Sequence, residues 1–153
     1  QSSVQQIINF INHLILKIMA YKVIDIEGVG AVYAEKLTAA GVVTVAQLLD
    51  KCAAPAGRQA LAEATEISEK VILRWCNHAD LMRIKGVGPQ FAELLEAAGV
   101  DTVKEFAHRN AENLAAKVAE VNAEKNLTNR VPVASELQRM IDQAKELPGV
   151  LTY

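Results

Sequence analysis

Apolar residues recur along this chain at spacings of three and four, and turn-forming residues interrupt them at intervals. That period belongs to amphipathic helices; a half-buried strand would alternate at every second position. In the first segment, Gln1 to Ile18, residues Ile7, Ile8, Ile11, Leu14, Ile15 and Ile18 follow helical spacing. Further on, the pattern predicts a helix over Ala31–Ala40 stopped by Gly41, then one capped by Thr44 and running to about Cys52. Pro55 opens a short helix to about Ala64, and Ser68 caps a longer one with Val71, Ile72, Trp75, Cys76 and Ala79 on one face. Leu81 and Ile84 lead from it to Pro89, which suits a first helical turn because its missing N–H has no intrahelical partner there. Gly99 ends that helix, and Thr102 caps the segment through His108. Asn110 starts a helix to about Lys125, Asn126–Pro132 reads as a loop, and a last helix runs from about Val133 to Leu147. No stretch carries the strand period, so the expected fold class is all-α.

The pattern also repeats. Ile26–Val45 reads IEGVGAVYAEKLTAAGVVTV and Ile84–Val103 reads IKGVGPQFAELLEAAGVDTV, offset by 58 residues, with thirteen of the twenty aligned positions identical. Each copy has the sequence form of a helix-hairpin-helix unit: Gly-Val-Gly, an Ala-Glu-x-Leu helix, and a closing Ala-Ala-Gly. Trp75–Asp80 and Met140–Lys145 share one order, apolar-apolar-polar-polar-Ala-charged, so each repeat is expected to end in a comparable helix. The organisation expected is two tandem repeats with additional helices, residues 19–80 and 81–153, where 68–80 also supplies the first helix of the second hairpin. Leu147-Pro148-Gly149-Val150 opens like a third hairpin, but Leu151 stands where the second glycine belongs, so this turn is expected to act as a cap.

Residues 1–18 form an N-terminal amphipathic helix or extension. Asn9, Asn12, His13 and Lys17 interrupt its apolar run, which falls short of the ~20 apolar residues that span a bilayer. It lacks the basic start and small-residue cleavage site of a secretory signal. Three readings stand: an interfacial or partner-binding helix, an extension upstream of a natural start at Met19, or the first helix of the first hairpin. The repeat offset matches Leu14, Ile15 and Ile18 to Ile72, Leu73 and Cys76, so residues 4–18 are expected to pack their isoleucine face on the first repeat. Membrane contact by residues 4–18 is left open.

Composition narrows the function. The 153 residues are 51% hydrophobic, enough for a sizeable core, and only 5% aromatic. A net charge of −2 argues against a strongly basic nucleic-acid binder, so any such contact has to be a local patch. Cys52 and Cys76 lack metal-type spacing and read as two buried thiols in a reducing cytosol, with a disulfide left open.

The segments IEGVGAVYAEKL, WCNHADLMRIKGVGPQFAELLEAAGVDTV and the terminal AKELP carry a resemblance. On them, residues 19–149 resemble a bacterial family of unknown function built from tandem helix-hairpin-helix repeats. The GVG hairpins are also similar to those of DNA repair, ligase and recombinase accessory domains. That wider resemblance implies contact with the DNA backbone independent of base sequence.

In such a hairpin, glycines let the backbone approach a phosphate, amides at the helix start donate to its oxygens, and neighbouring cations add charge. The second hairpin fits in part: Arg83 and Lys85 flank Gly86-Val87-Gly88, with Gln90 as a further donor. In the first, around Gly28 and Gly30, Asp25 and Glu27 occupy the matching places and would repel a phosphate, so its glycines are expected to be structural. The competing reading makes both hairpins tight connectors, with Val29 and Val87 plugging the core. His78 near Cys76 is two positions away on a helix and does not face it, so no metal pair is expected. Lys104, His108 and Arg109 read as a solvated helix end more than as a basic patch. No nucleophile–base set, nucleotide phosphate loop or metal quartet is present. The sequence therefore points to a cytoplasmic, non-catalytic module without cofactor, metal or small-molecule substrate. Its expected partner is DNA or RNA backbone at the second hairpin, or else a protein.

Overall fold

The computed structural model describes residues 3–19 and 21–153, and the side chains of 3–12 and 21–153. Among the described residues it holds nine α-helices, one 3-10 turn and no strand. Helix α1 spans Ser3–Met19, and the 3-10 turn Val23–Asp25 leads to α2, Gly30–Ala39. Then come α3 (Val45–Cys52), α4 (Pro55–Thr65), α5 (Glu69–Leu81) and α6 (Pro89–Ala97). α7 (Val103–Ala107), α8 (Ala111–Lys125) and α9 (Ala134–Glu146) complete the fold. An isolated antiparallel bridge joins Lys22 to Thr44.

The helix starts follow from the caps read in the sequence. The side chains of Thr44, Ser68, Thr102 and Asn110 each accept a hydrogen bond from the amide three residues on. Each satisfies an amide that the helix itself cannot, worth about 1 kcal/mol. Pro55 and Pro89 stand in the first turns of α4 and α6. Two helices, α4 and α8, end on non-glycine residues in the left-handed region, Glu66 and Asn126.

One hydrophobic cluster runs from Val23 to Ala144, with Trp75 and Phe106 its largest fully buried side chains. α5 packs on α3, α4 and α6, and α9 packs on α7 and α8. Val29 and Val87, between the hairpin glycines, are both buried in this core. After α9, Leu147, Val150 and Leu151 pack on the cluster, and the Thr152 amide donates to the Ala53 carbonyl at 2.8 Å.

The two glycine turns agree at one end and differ at the other. Gly28 and Gly86 have φ of +90° and +95°. Gly30 sits at φ +67°, whereas Gly88 is extended at φ −99°. Pro89 accounts for the difference, because a proline ring forces the preceding residue out of helical conformations.

α1 is helical as the spacing predicts, and it borders α3. The packing expected of its isoleucine face needs correction. Val4, Ile7, Ile8, Phe10 and Ile11 are all exposed. The offset that matched this segment to α5 places Ile7 and Ile8 opposite Thr65, the last residue of α4, and Glu66, its left-handed end. That half of the face has no counterpart on α5. The side chains of Leu14, Ile15 and Ile18 lie outside the described residues. No helix among the described residues is long and apolar enough to cross a membrane.

Candidate nucleic-acid interface

The second hairpin turn, between α5 and α6, lies against α9. The Lys85 amide donates to Gln143 Oε1 at 3.0 Å, which ties the turn to that helix. Gly86 sits at φ +95°, which side chains rarely adopt, and a Cβ there would stand 2.9 Å from the movable Met140 methyl. Lys85 itself is exposed.

The loop between α8 and α9 brings in a second cation. Asn122 organises it: its Oδ1 accepts the Leu127 and Thr128 amides at 2.8 and 2.9 Å, and its Nδ2 donates to the Thr128 carbonyl at 3.0 Å. The Thr128 hydroxyl donates to the Arg130 carbonyl at 2.9 Å. Arg130 thereby reaches the hairpin, where its guanidinium donates to both Glu136 oxygens at 2.7 Å. That hydrogen-bonded pairing, against a small opposing effect of burial, lowers the Glu136 carboxyl to about 2. Lys85, Gly86, Arg130 and Arg139 line one groove of about 360 Å³ with Glu136, Met140 and Gln143.

A larger groove of about 700 Å³ follows the start of α6. Gly88, Pro89, Gln90 and Phe91 form one wall; Tyr21, Asp25 and Glu27 form another; Thr128, Asn129 and Arg130 complete it. The amides of Gln90 and Phe91, in the first turn of α6, have no acceptor among the described residues. They are the donors a phosphate would use, yet two carboxylates line the same groove.

Arg83 is not at this surface, which corrects its expected place as a phosphate contact. It is only 6% exposed. One nitrogen donates to Asp80 Oδ1 at 2.7 Å and another to the Pro148 carbonyl at 2.6 Å. The other Asp80 oxygen accepts the Val103 amide at 2.9 Å. Arg83 therefore braces α5, α7 and the C-terminal tail. The sequence shows that a charge precedes the hairpin, not that it turns inward.

The remaining candidates separate cleanly. Gln90 is exposed beside Gly88, where a Cβ would sit 3.3 Å from the Tyr21 hydroxyl. At the first hairpin, Gly28 and Gly30 occupy the turn into α2, and Asp25 accepts the Lys22 amide at 2.8 Å. Arg109 points back at α6, donating to the Gly99 carbonyl at 3.3 Å and the Ala98 carbonyl at 3.5 Å. His78 is fully buried; its Nε2 lies 3.1 Å from Glu96 Oε2 but off the line of a hydrogen bond, and Nδ1 has no hydrogen-bond partner. Among the described residues no three His, Cys, Asp or Glu side chains gather as metal ligands would. Sequence reasoning missed Arg130 and Arg139. Arg139 had a signal, because it precedes Met140 as Arg74 precedes Trp75 in the matched helices. Arg130 had none, since its position depends on how Asn122 folds the loop.

The molecule is thus an all-helical protein with two grooves meeting at a glycine turn. A family model for a domain of unknown function, DUF4332, matches residues 27–147, and the chain belongs to that family. Neither curated proteins nor solved structures match the chain.

Proposed function

We propose that this chain is a non-catalytic, cytoplasmic helix-hairpin-helix module of bacterial type that holds nucleic-acid backbone weakly at its second hairpin. The observation that carries this reading is the meeting of Lys85, Arg130 and Arg139, from three separate elements, around Gly86. They replace the cation lost when Arg83 turned inward. The Arg130–Glu136 pair is open to solvent on the arginine side, 71% accessible against 21% for the glutamate, which leaves the guanidinium free to turn to a phosphate. Gly28 and Gly30 serve only the turn of the first hairpin.

Three cations set the scale. Each neutralised phosphate contributes roughly −0.9 to the slope of log affinity against log salt on duplex DNA, so the slope should be no steeper than about −3. Base preference should be slight, because phosphate contacts carry no sequence information directly. The test is a salt-dependent titration with duplex and single-stranded DNA, comparing Lys85→Glu with Arg139→Glu against Asp25→Ala with Glu27→Ala. Binding should collapse in the first double variant and persist or strengthen in the second. No binding by the unaltered chain at low salt would defeat the reading. A protein-interaction scaffold would then stand, and one observation favours it: Asp25 and Glu27 line the groove into which the Gln90 and Phe91 amides open.

A further inference from the structure

Helix α1 leaves an apolar face uncovered. Val4, Ile7, Ile8 and Ile11 fall on one side of successive turns, Phe10 flanks them, and their exposure runs from 38% to 63%. A contiguous apolar surface of this kind marks an interaction site more often than a bare stretch of a monomer. We infer that it binds the same face of a second copy of this chain, so that two molecules pair through α1. This inference does not rest on nucleic-acid binding.

Charge selects the occupant. From residue 3 to residue 16 the sequence holds no Asp, Glu, Lys or Arg. In a two-fold pair each patch meets its own copy, so any charge on it would face its like. An uncharged face avoids that repulsion, and it offers nothing to an acidic or a basic partner. A helix that lies on a membrane carries Lys and Arg on its polar side. Here the polar side is Gln5, Gln6, Asn9 and Asn12.

Spacing and area agree with that choice. Val4, Ile7, Ile11, Leu14 and Ile18 alternate steps of three and four along the sequence, the a and d positions of a heptad repeat. Every a position, Val4, Ile11 and Ile18, is β-branched, as two-stranded pairs favour. Ile8 and Phe10 flank this seam where charged residues often stand, and widen it. Five large side chains, each about half accessible, present roughly 500 Å² per copy, so a pair covers roughly 1,000 Å², the size a specific interface has to reach. The same burial would support the helix itself, because isoleucine, valine, serine and asparagine are weak helix formers and a helix of such residues relies on packing. None of residues 3–12 belongs to the hydrophobic cluster, so pairing joins two molecules and leaves each core as it is.

Sedimentation equilibrium of the full chain over a range of concentrations tests the pairing. A reversible association is expected, rising to twice the 16.6 kDa of one chain. Ile7→Lys with Ile11→Lys sets like charges against each other and should leave single chains, as should Ile7→Glu with Ile11→Glu. An equimolar mixture of those two variants should pair more tightly than either alone, which only contact between like faces produces. Gln6→Lys with Asn9→Lys, on the opposite side of α1, should pair as the unaltered chain does. If a charged variant fails to fold, Ile7→Gln with Ile11→Gln replaces it, with the same loss expected. A single chain at every concentration would overturn the inference. So would a pair that survives the changes at Ile7 and Ile11, a mixture that pairs no better than its parts, or an assembly larger than two. A monomer that floats with phosphatidylcholine vesicles, and stops doing so in Ile7→Lys with Ile11→Lys, would overturn it by giving the face to a membrane.

Discussion

Arg83 and Lys85 stand two positions apart, and the direction in which each side chain points separates stability from binding. Arg83 pairs with Asp80, itself 3% exposed, so Arg83→Ala leaves a carboxylate buried without its cation. Losing one partner of a buried pair costs about 3–5 kcal/mol. Denaturant unfolding should show a loss of that order, while DNA affinity per folded molecule stays unchanged. Helical spacing alone does not show this pairing, because α5 ends at Leu81 and Arg83 lies in the turn beyond it. Glu96 supplies a second residue-scale prediction. Burial opposes its ionised form, yet the charge of His78 close beside it and the hydrogen bonding and charge of Arg74 outweigh burial and hold its carboxyl below the ordinary range. Its contribution to stability is then complete above the unfolded carboxylate value of ~4.3 and is lost as pH falls through the depressed value. Asp101 acts in the opposite direction, raised first by burial and then by Glu105 and Glu96. Glu96→Gln should melt below the unaltered chain at neutral pH, with the gap narrowing as pH falls below ~4.3. A gap that does not change with pH would assign the loss to packing instead.

At the scale of elements, the sequence was most legible where capping chemistry is local. Thr44, Ser68, Thr102 and Asn110 mark their helices because cap and amide are only three residues apart. What it hid were contacts made across elements. Gly57 is the clearest case. Inside α4, a glycine reads as a weak point, and Gly→Ala in a helix interior is expected to gain about 1 kcal/mol. The structure reverses the sign, since a Cβ at Gly57 would stand 1.8 Å from the Lys51 carbonyl oxygen. That oxygen is backbone and cannot swing away, so α3 and α4 would have to separate. Gly57→Ala should therefore destabilise by about 1–3 kcal/mol, the range of overpacked interiors, and a gain measured by thermal unfolding would refute the close approach. The candidate interface follows the same rule. Lys85 and Gly86 were legible from the hairpin alone, whereas Arg130 reaches it only through the Asn122 hydrogen bonds that fold the α8–α9 loop.

For the whole molecule, the two ends of the chain contrast. At the start, the side chains of residues 3–12 are exposed throughout, including Ile7, Ile8 and Ile11, so none of them is buried in the core. At the finish, seven residues without regular structure do more. Leu147, Val150 and Leu151 are partly buried against the hydrophobic cluster. The carbonyls of Pro148 and Thr152 accept from Arg83 and Arg58, two of the few buried charged side chains, and the Thr152 amide meets Ala53. Removing this tail exposes apolar surface worth ~25 cal/mol per Å² and strips acceptors from two buried guanidiniums, each an uncompensated donor costing about 1–3 kcal/mol. Solvent entering the vacated space would recover part of that cost, so a net loss of about 2–4 kcal/mol is expected. At this chain length that corresponds to a melting temperature lower by roughly 10 °C. A chain beginning at His13 should melt within about 2 °C of the full chain. Calorimetry on the two shortened chains checks the contrast directly. Equal losses at both ends would mean that α1 carries packing its exposed isoleucines do not show, and an unchanged melt without residues 147–153 would mean that Arg58 and Arg83 find water as good a partner as the tail.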